Sequence, residues 1–229
     1  MATSIVARMD EAEAAREEAA QPGAGAGPGG QPRKRTDLRV VKTKRTIREA
    51  FIRLMGTKGL ESMTVQDILD EALVNRKTFY TYYHDKYDLA EQIAADFLAV
   101  YDDMIAKRFP ASEGGRPVPF ALEEIYTELN QNRKEVQAIW SIRTDRVNVF
   151  DELCKRLQRI YLGLAEYYDV EGDRTLQAYM FSTFVMSTYQ HVMETDEPFE
   201  TEKLLQEYEN LFDVVERASR GEPAPERKS

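Results

Sequence analysis

The stretch NRKTFYTYYHDKYDL, Asn75 to Leu89, places four tyrosines, a phenylalanine, three basic residues and a histidine in fifteen positions. If it is helical, Arg76 and Tyr80, four apart, share a face, with Lys77 and Thr81 beside it. That face carries cations, a hydroxyl and a phenol, groups that can hydrogen-bond both phosphates and base edges. Phe79 and Tyr83 share another face, assigned inward. This is recognition chemistry with nothing in it to make or break a covalent bond. The structural alternatives are that both Tyr82 and Tyr83 are core and that His84 is a solvent-facing helix end.

Such a face needs a rigid support. In TVQDILDEA, Thr64 is a cap with Asp67 three residues later, and Val65, Ile68, Leu69 and Ala72 form an apolar stripe. A three-residue link leads to Asn75, a cap for a short helix over 75–82. A helix, a tight turn and a second short helix make a helix-turn-helix, whose second helix enters the DNA major groove. A helix ending at Gly59 precedes it, with Ile47, Phe51, Leu54 and Met55 on one face. Asp85 caps a long helix over 86–108, and FPASEGGRPVP breaks it. Helices follow near 119–131, 133–141, 145–168, 173–193 and 200–218. The fold class is all-α: an N-terminal three-helix helix-turn-helix domain plus a C-terminal helical dimerisation and ligand-binding domain.

The expected boundaries are a disordered, basic-ended extension at 1–36, the DNA-binding domain at 37–88, the effector and dimerisation domain at 89–218, and a disordered tail at 219–229. QPGAGAGPGGQP is low-complexity, with only a transient helix expected near 8–20.

The net charge is −9, yet Arg33 to Lys58 holds ten Lys/Arg against Asp37 and Glu49, leaving −17 on the rest. That asymmetry suits a nucleic-acid-facing part on an acidic body, or a solvated basic tail. One cysteine, Cys154, excludes an intramolecular disulfide framework and reads as packing on an apolar helix face. His84 and His191 lie far apart, without a ligand pattern for zinc. No cofactor, metal site, P-loop, nucleophile elbow or paired carboxylates are found, so an enzyme is not expected. No apolar run suits a membrane span, and the N-terminus lacks a signal core, so a cytoplasmic location is expected.

The segment TVQDILDEALVNRKTFYTYYHDKYDL resembles the DNA-binding domain of the TetR family of transcriptional regulators. The family pattern T-x-x-x-I-x-x-x-A-x-V-x-x-x-T-x-Y-x-Y-F-x-x-K-x-x-L is matched at Thr64, Ile68, Ala72, Val74, Thr78, Tyr80, Tyr82, Lys86 and Leu89, within a likeness spanning 44–89. Tyr83 stands where Phe is usual, and Leu73 where most members have Gly, a residue that relieves strain in such a turn. The wording HDKYDL is similar to regulators of dihydroxyacetone kinase operons. The resemblance implies that Gln66, Arg76 and Lys77 reach base edges, and that Thr64, Thr78, Tyr80, Tyr82 and Lys86 hold phosphates. Lys44 is assigned to phosphate as well; the basic arm 33–45 follows the backbone or enters a minor groove, with general electrostatics favoured over base contact for Arg33, Lys34 and Arg35.

Two reading heads are needed for selectivity, so a homodimer on a double-stranded operator is expected. Its surface is assigned to helices 173–193 and 200–218, with Ser182, Thr183 and Ser187 allowing close approach. The former is apolar nearly all round and must be covered on most of its circumference. Candidate effector contacts are Tyr101, Met104, Tyr126, Trp140, Tyr161, Met180 and Phe184, with core packing as the alternative for each. The functional expectation is a homodimeric repressor released from DNA by a small molecule. The competing expectation is a co-activator or architectural DNA-binding protein whose C-terminal half binds a protein.

Overall fold

The computed structural model describes residues 4–19, 38–108, 118–195 and 200–220. Among them are ten helices: α1 (Ile5–Ala19), α2 (Leu38–Ser62), α3 (Val65–Ala72), α4 (Arg76–Tyr82), α5 (Lys86–Arg108), α6 (Val118–Asn130), α7 (Arg133–Trp140), α8 (Val149–Tyr167), α9 (Arg174–Thr195) and α10 (Thr201–Ser219). The chain is all-α, as its periodicities imply; the described residues hold one isolated bridge, Arg143 with Asn148.

Local chemistry sets the boundaries. Gly59 has φ +73°, so regular helix stops there although the segment continues to Ser62. Thr64 and Asp67 form the reciprocal capping box expected of them. Asn75 accepts from the Thr78 amide at 2.8 Å. Asp85 accepts from the amides of Tyr87 and Asp88, both at 2.8 Å, which starts α5.

Phe79 and Tyr83 are buried, joining Ile47, Phe51, Ile68 and Leu69 in the core of the α2–α4 head. The head meets the C-terminal half through α5, which is buried along Leu89, Ile93, Phe97, Tyr101 and Met104, and through α2 against α7. Helix α8 packs on α9.

Within the extension 1–36 the sequence implies only a transient helix near 8–20. Residues 5–19 form a helix packed on α5 and α2, with Ile5, Val6 and Met9 essentially buried. Each such side chain removed from water contributes roughly 1.5–3 kcal/mol, enough to order a helix whose composition alone reads as solvated. The arm with Arg33, Lys34 and Arg35, and the tail beyond Arg220, lie outside the described residues.

Helix α9 is less covered than its apolar circumference requires. Val185, Met186, Tyr189, Val192 and Met193 are buried, but Leu176 and Tyr179 are 55% and 62% exposed. Leu205, Leu211, Phe212, Val214 and Val215 on α10 are exposed as well. Ser182 is not on that open surface: it is buried, accepting from Gln158 of α8 at 3.1 Å.

Candidate nucleic-acid interface

Helices α3 and α4 present one polar face. Thr64, Gln66, Arg76, Lys77, Tyr80 and Thr81 are exposed, and Thr78 and Tyr82 are half-buried. Phe79 lies beneath, with Tyr80 edge-on to it at 5.4 Å between ring centroids. The face therefore rests on a packed aromatic base, which limits the tilt of α4.

The two expected base readers from different helices touch each other. Arg76 donates through Nη2 to Oε1 of Gln66 at 3.0 Å, and Gln66 Nε2 donates to Asp70 at 2.7 Å. Gln66 thus passes an orientation from Asp70 on α3 to the guanidinium on α4. Asp70 was missed at the sequence level; an acidic residue four positions after Gln66 reads there as a solvated charge. Lys77 and Tyr80 stay exposed beside this chain.

The phosphate set divides. Thr64 Oγ1 and Asp67 bond reciprocally, at 2.9 and 3.1 Å, leaving the Thr64 side chain exposed at the start of α3. Asp67 is held down at about 2, first by the Lys58 hydrogen bond and then by Thr64. Thr78 Oγ1 bonds Asn75 at 2.9 Å. Lys44 Nζ lies 5.8 Å from the centre of the Tyr82 ring, so these two expected contacts are adjacent, but Lys44 also pairs with Glu13 of α1 at 3.0 Å.

Lys86 is the clear departure from the implied phosphate role. Its ammonium donates to the carbonyls of Leu60, Glu61 and Met63 at 2.8, 3.0 and 2.8 Å. An ammonium has three donors, and these bonds use all of them on the C-terminal end of α2, where carbonyls and helix dipole favour a cation. In this structure Lys86 closes the head from within.

Leu73 answers the question raised by its place in the turn. It adopts φ 54°, ψ 41°, the left-handed conformation usual for glycine, and its side chain is 91% exposed. Its amide donates to Leu69 and closes α3, so the turn has the ordinary geometry at the cost of a strained leucine.

The candidate effector residues fall into two groups. Tyr101, Met104, Tyr126 and Trp140 are buried in the core of the C-terminal half, where Tyr126 stacks on Tyr189 at 5.5 Å. Among the described residues, the Tyr101 hydroxyl and the Trp140 indole N–H have no hydrogen-bond partner. Burial pushes the Tyr101 phenol well above its ordinary range. The second group lies elsewhere. Tyr161 packs at a tilt against Phe181 at 5.3 Å between ring centroids, Phe184 meets Tyr208 edge-on at 5.2 Å, and Met180 is 39% exposed. The structure does not bring the seven to one place.

A polar cleft of 760 Å³ runs between head and C-terminal half, lined by Glu61, Asp88, Glu91 and Arg143 to Arg146 among others. None of the seven lines it. No group of three or more acidic, His or Cys side chains arranged for a metal occurs among the described residues. No described helix is long and apolar enough to cross a membrane.

Residues 47–93 match the family model described as bacterial regulatory proteins, tetR family. Over 186 residues the chain is 23% identical to the uncharacterized HTH-type transcriptional regulator YxbF of Bacillus subtilis (strain 168), covering 79% of this chain and 47% of that protein. The chain thus spans about half the length of that curated relative. In three dimensions it is similar to a Clostridium perfringens protein described as a fatty acid metabolism regulator, with TM-score 0.56, 19% identity, 71% of this chain covered and 94% of that one. It is also similar to a gamma-butyrolactone receptor described as ArpA-like, with TM-score 0.52, 20% identity, and 66% and 83% covered. At such identities the two structures share its fold.

Proposed function

We propose, starting from a chain that is a DNA-binding transcriptional regulator of the TetR family, that it acts as a homodimeric repressor released from its operator by a small molecule. The observation that carries the reading is the exposed Arg76–Gln66 pair, set by two capped helices on a buried aromatic base. An Arg fork can read guanine bidentately, and Gln can read adenine. Lys77 and Tyr80 extend the face, and Thr64, Thr78 and Tyr82 hold the flanking phosphates.

The dimer is supported by the apolar surface of α9 and α10, a patch that a lone chain leaves in water. The effector is supported by the buried Tyr101 and Trp140 donors. An apolar ligand with an acceptor group beside the Tyr101 hydroxyl would satisfy that donor, and would displace α5, the helix joining head to C-terminal half. Release requires that the ligand prefer the state whose heads miss their half-sites.

Selection of bound duplexes from a random DNA pool tests the reading. The expected product is a two-fold symmetric site with half-sites a whole number of helical turns apart. Enrichment of asymmetric single sites, or of none, would overturn the dimeric-repressor reading. Titrating the selected operator complex with apolar metabolites tests release.

A further inference from the structure

Helix α1 lies across the junction of head and C-terminal half, and its charges are placed with unusual consistency. On the head side, Glu13 pairs with Lys44 at 3.0 Å and with Arg48 at 2.9 Å. Asp10 pairs with Arg45 and with Arg48, the latter at 3.0 Å. On the other side, the Ile5 amide donates to Asn132 at 3.0 Å, and Arg8 pairs with Glu128 of α6. Ile5, Val6 and Met9 fill the space between.

Arg48 is wholly buried and is also paired with Asp96 of α5. Lys44 and Arg45 are in a different position. They sit on α2 at the edge of the DNA-facing surface, Lys44 against the Tyr82 ring. Their carboxylate partners named above, Glu13 and Asp10, belong to α1.

We propose that α1 is a detachable strap that occupies part of the DNA-backbone site. Glu13 and Asp10 stand where phosphate oxygens would stand, on Lys44 and Arg45. With α1 docked, these cations are neutralised and the head is tied to α6. With α1 displaced, Lys44 and Arg45 lose the Glu13 and Asp10 carboxylates beside Tyr82, while Arg48 keeps Asp96. The phosphate backbone and α1 therefore compete for the same cations, and the competition is tuned by ionic strength, since both partners are screened alike only when both are exposed. Backbone contact is thereby coupled to release of the junction.

The test uses the full chain and a mixed-sequence DNA duplex over a series of salt concentrations. Glu13→Gln removes one competitor while Asp10 and Asp96 still hold Arg48. It is expected to tighten binding about fivefold near physiological salt and to steepen the log–log salt slope by about 0.9, the value for one added phosphate contact. Glu11→Gln makes the same change in net charge on the exposed side of α1 and leaves both quantities unmoved. Lys44→Ala in the Glu13→Gln background abolishes the gain. A second measurement uses the unaltered protein: amide hydrogen exchange in residues 5–14 should accelerate when DNA is added, while α4 becomes protected. Unchanged or weaker binding by Glu13→Gln, an equal effect of Glu11→Gln, or α1 exchange unaffected by DNA would each overturn the strap.

Discussion

Arg76 and Gln66, ten residues apart in sequence, meet through a 3.0 Å hydrogen bond between α4 and α3. A guanidinium that is free in solution must lose rotamer entropy when it binds a base. Here part of that loss is taken during folding, because Gln66 is itself held by Asp70. Arg76→Ala is expected to relax preference at one base pair by about 1–3 kcal/mol. Gln66→Ala is expected to weaken the same position partially, and the double variant to fall short of the sum. Operator-variant binding with a double-mutant cycle checks this; strict additivity would mean that the two side chains read DNA independently.

Lys86→Met is expected to cost stability, on the order of 1–3 kcal/mol, because three carbonyls at the end of α2 lose their donor. Denaturant unfolding measures the loss. For protein that remains folded, the salt dependence of DNA binding should be unchanged, since the three donors of this ammonium are taken by carbonyls. A shallower slope with unaltered stability would return Lys86 to the backbone-contact set.

Leu73→Gly should stabilise the head. A leucine in the left-handed region costs about 1–2 kcal/mol, of which the greater freedom of unfolded glycine takes back roughly 0.4–1. Nothing is lost from the core, because the side chain is 91% exposed. A higher unfolding midpoint in denaturant is expected, and a lower one would show that the leucine makes a contact worth more than its strain.

The capping box gives the head an acid sensitivity. Asp67 titrates at about 2 instead of its ordinary 3.8, first because Lys58 bonds it and then because Thr64 does. A depressed carboxylate stabilises the fold fully above about 3.8, and that contribution fades as pH falls towards about 2. Lys58→Met is expected to raise the Asp67 midpoint, and Asp67→Asn to remove this component of acid unfolding, both followed by carboxyl NMR and circular dichroism against pH.

Val215→Lys on α10 places a charge on a side chain 58% exposed in the lone chain. It is expected to leave monomer folding intact, to shift the protein to the monomer in sedimentation, and to reduce operator affinity far more than affinity for a half-site. A variant that still sediments as a dimer would locate the interface elsewhere.

Much of the head is legible in the sequence because its signals are local. Thr64, Asp67, Asn75 and Asp85 each cap within three residues, and the i, i+4 spacing separates Phe79 and Tyr83 from Arg76 and Tyr80. Lys86 was not legible, since its acceptors lie about 25 residues upstream and only the folded turn gathers them. Helix α1 reads in the sequence only as a transient helix near 8–20, and its packing was hidden for a similar reason. Its three buried apolar residues are too few to mark a core element until α5 and α2 supply the opposing surface. The aromatic residues of the C-terminal half carry helical spacing without saying which helix each meets, so one list of candidates spread over two separate regions.

Lys86 is both the first residue of α5 and the plug in the end of α2. The joint between the reading head and the long helix therefore has no slack. At about 1.5 Å per residue, the 23 residues of α5 form an arm roughly 34 Å long, welded to its blade at one end. A tilt of a few degrees at the distant end is passed to the head, because the Lys86 bonds tie the start of α5 to the end of α2 across the short link 83–85.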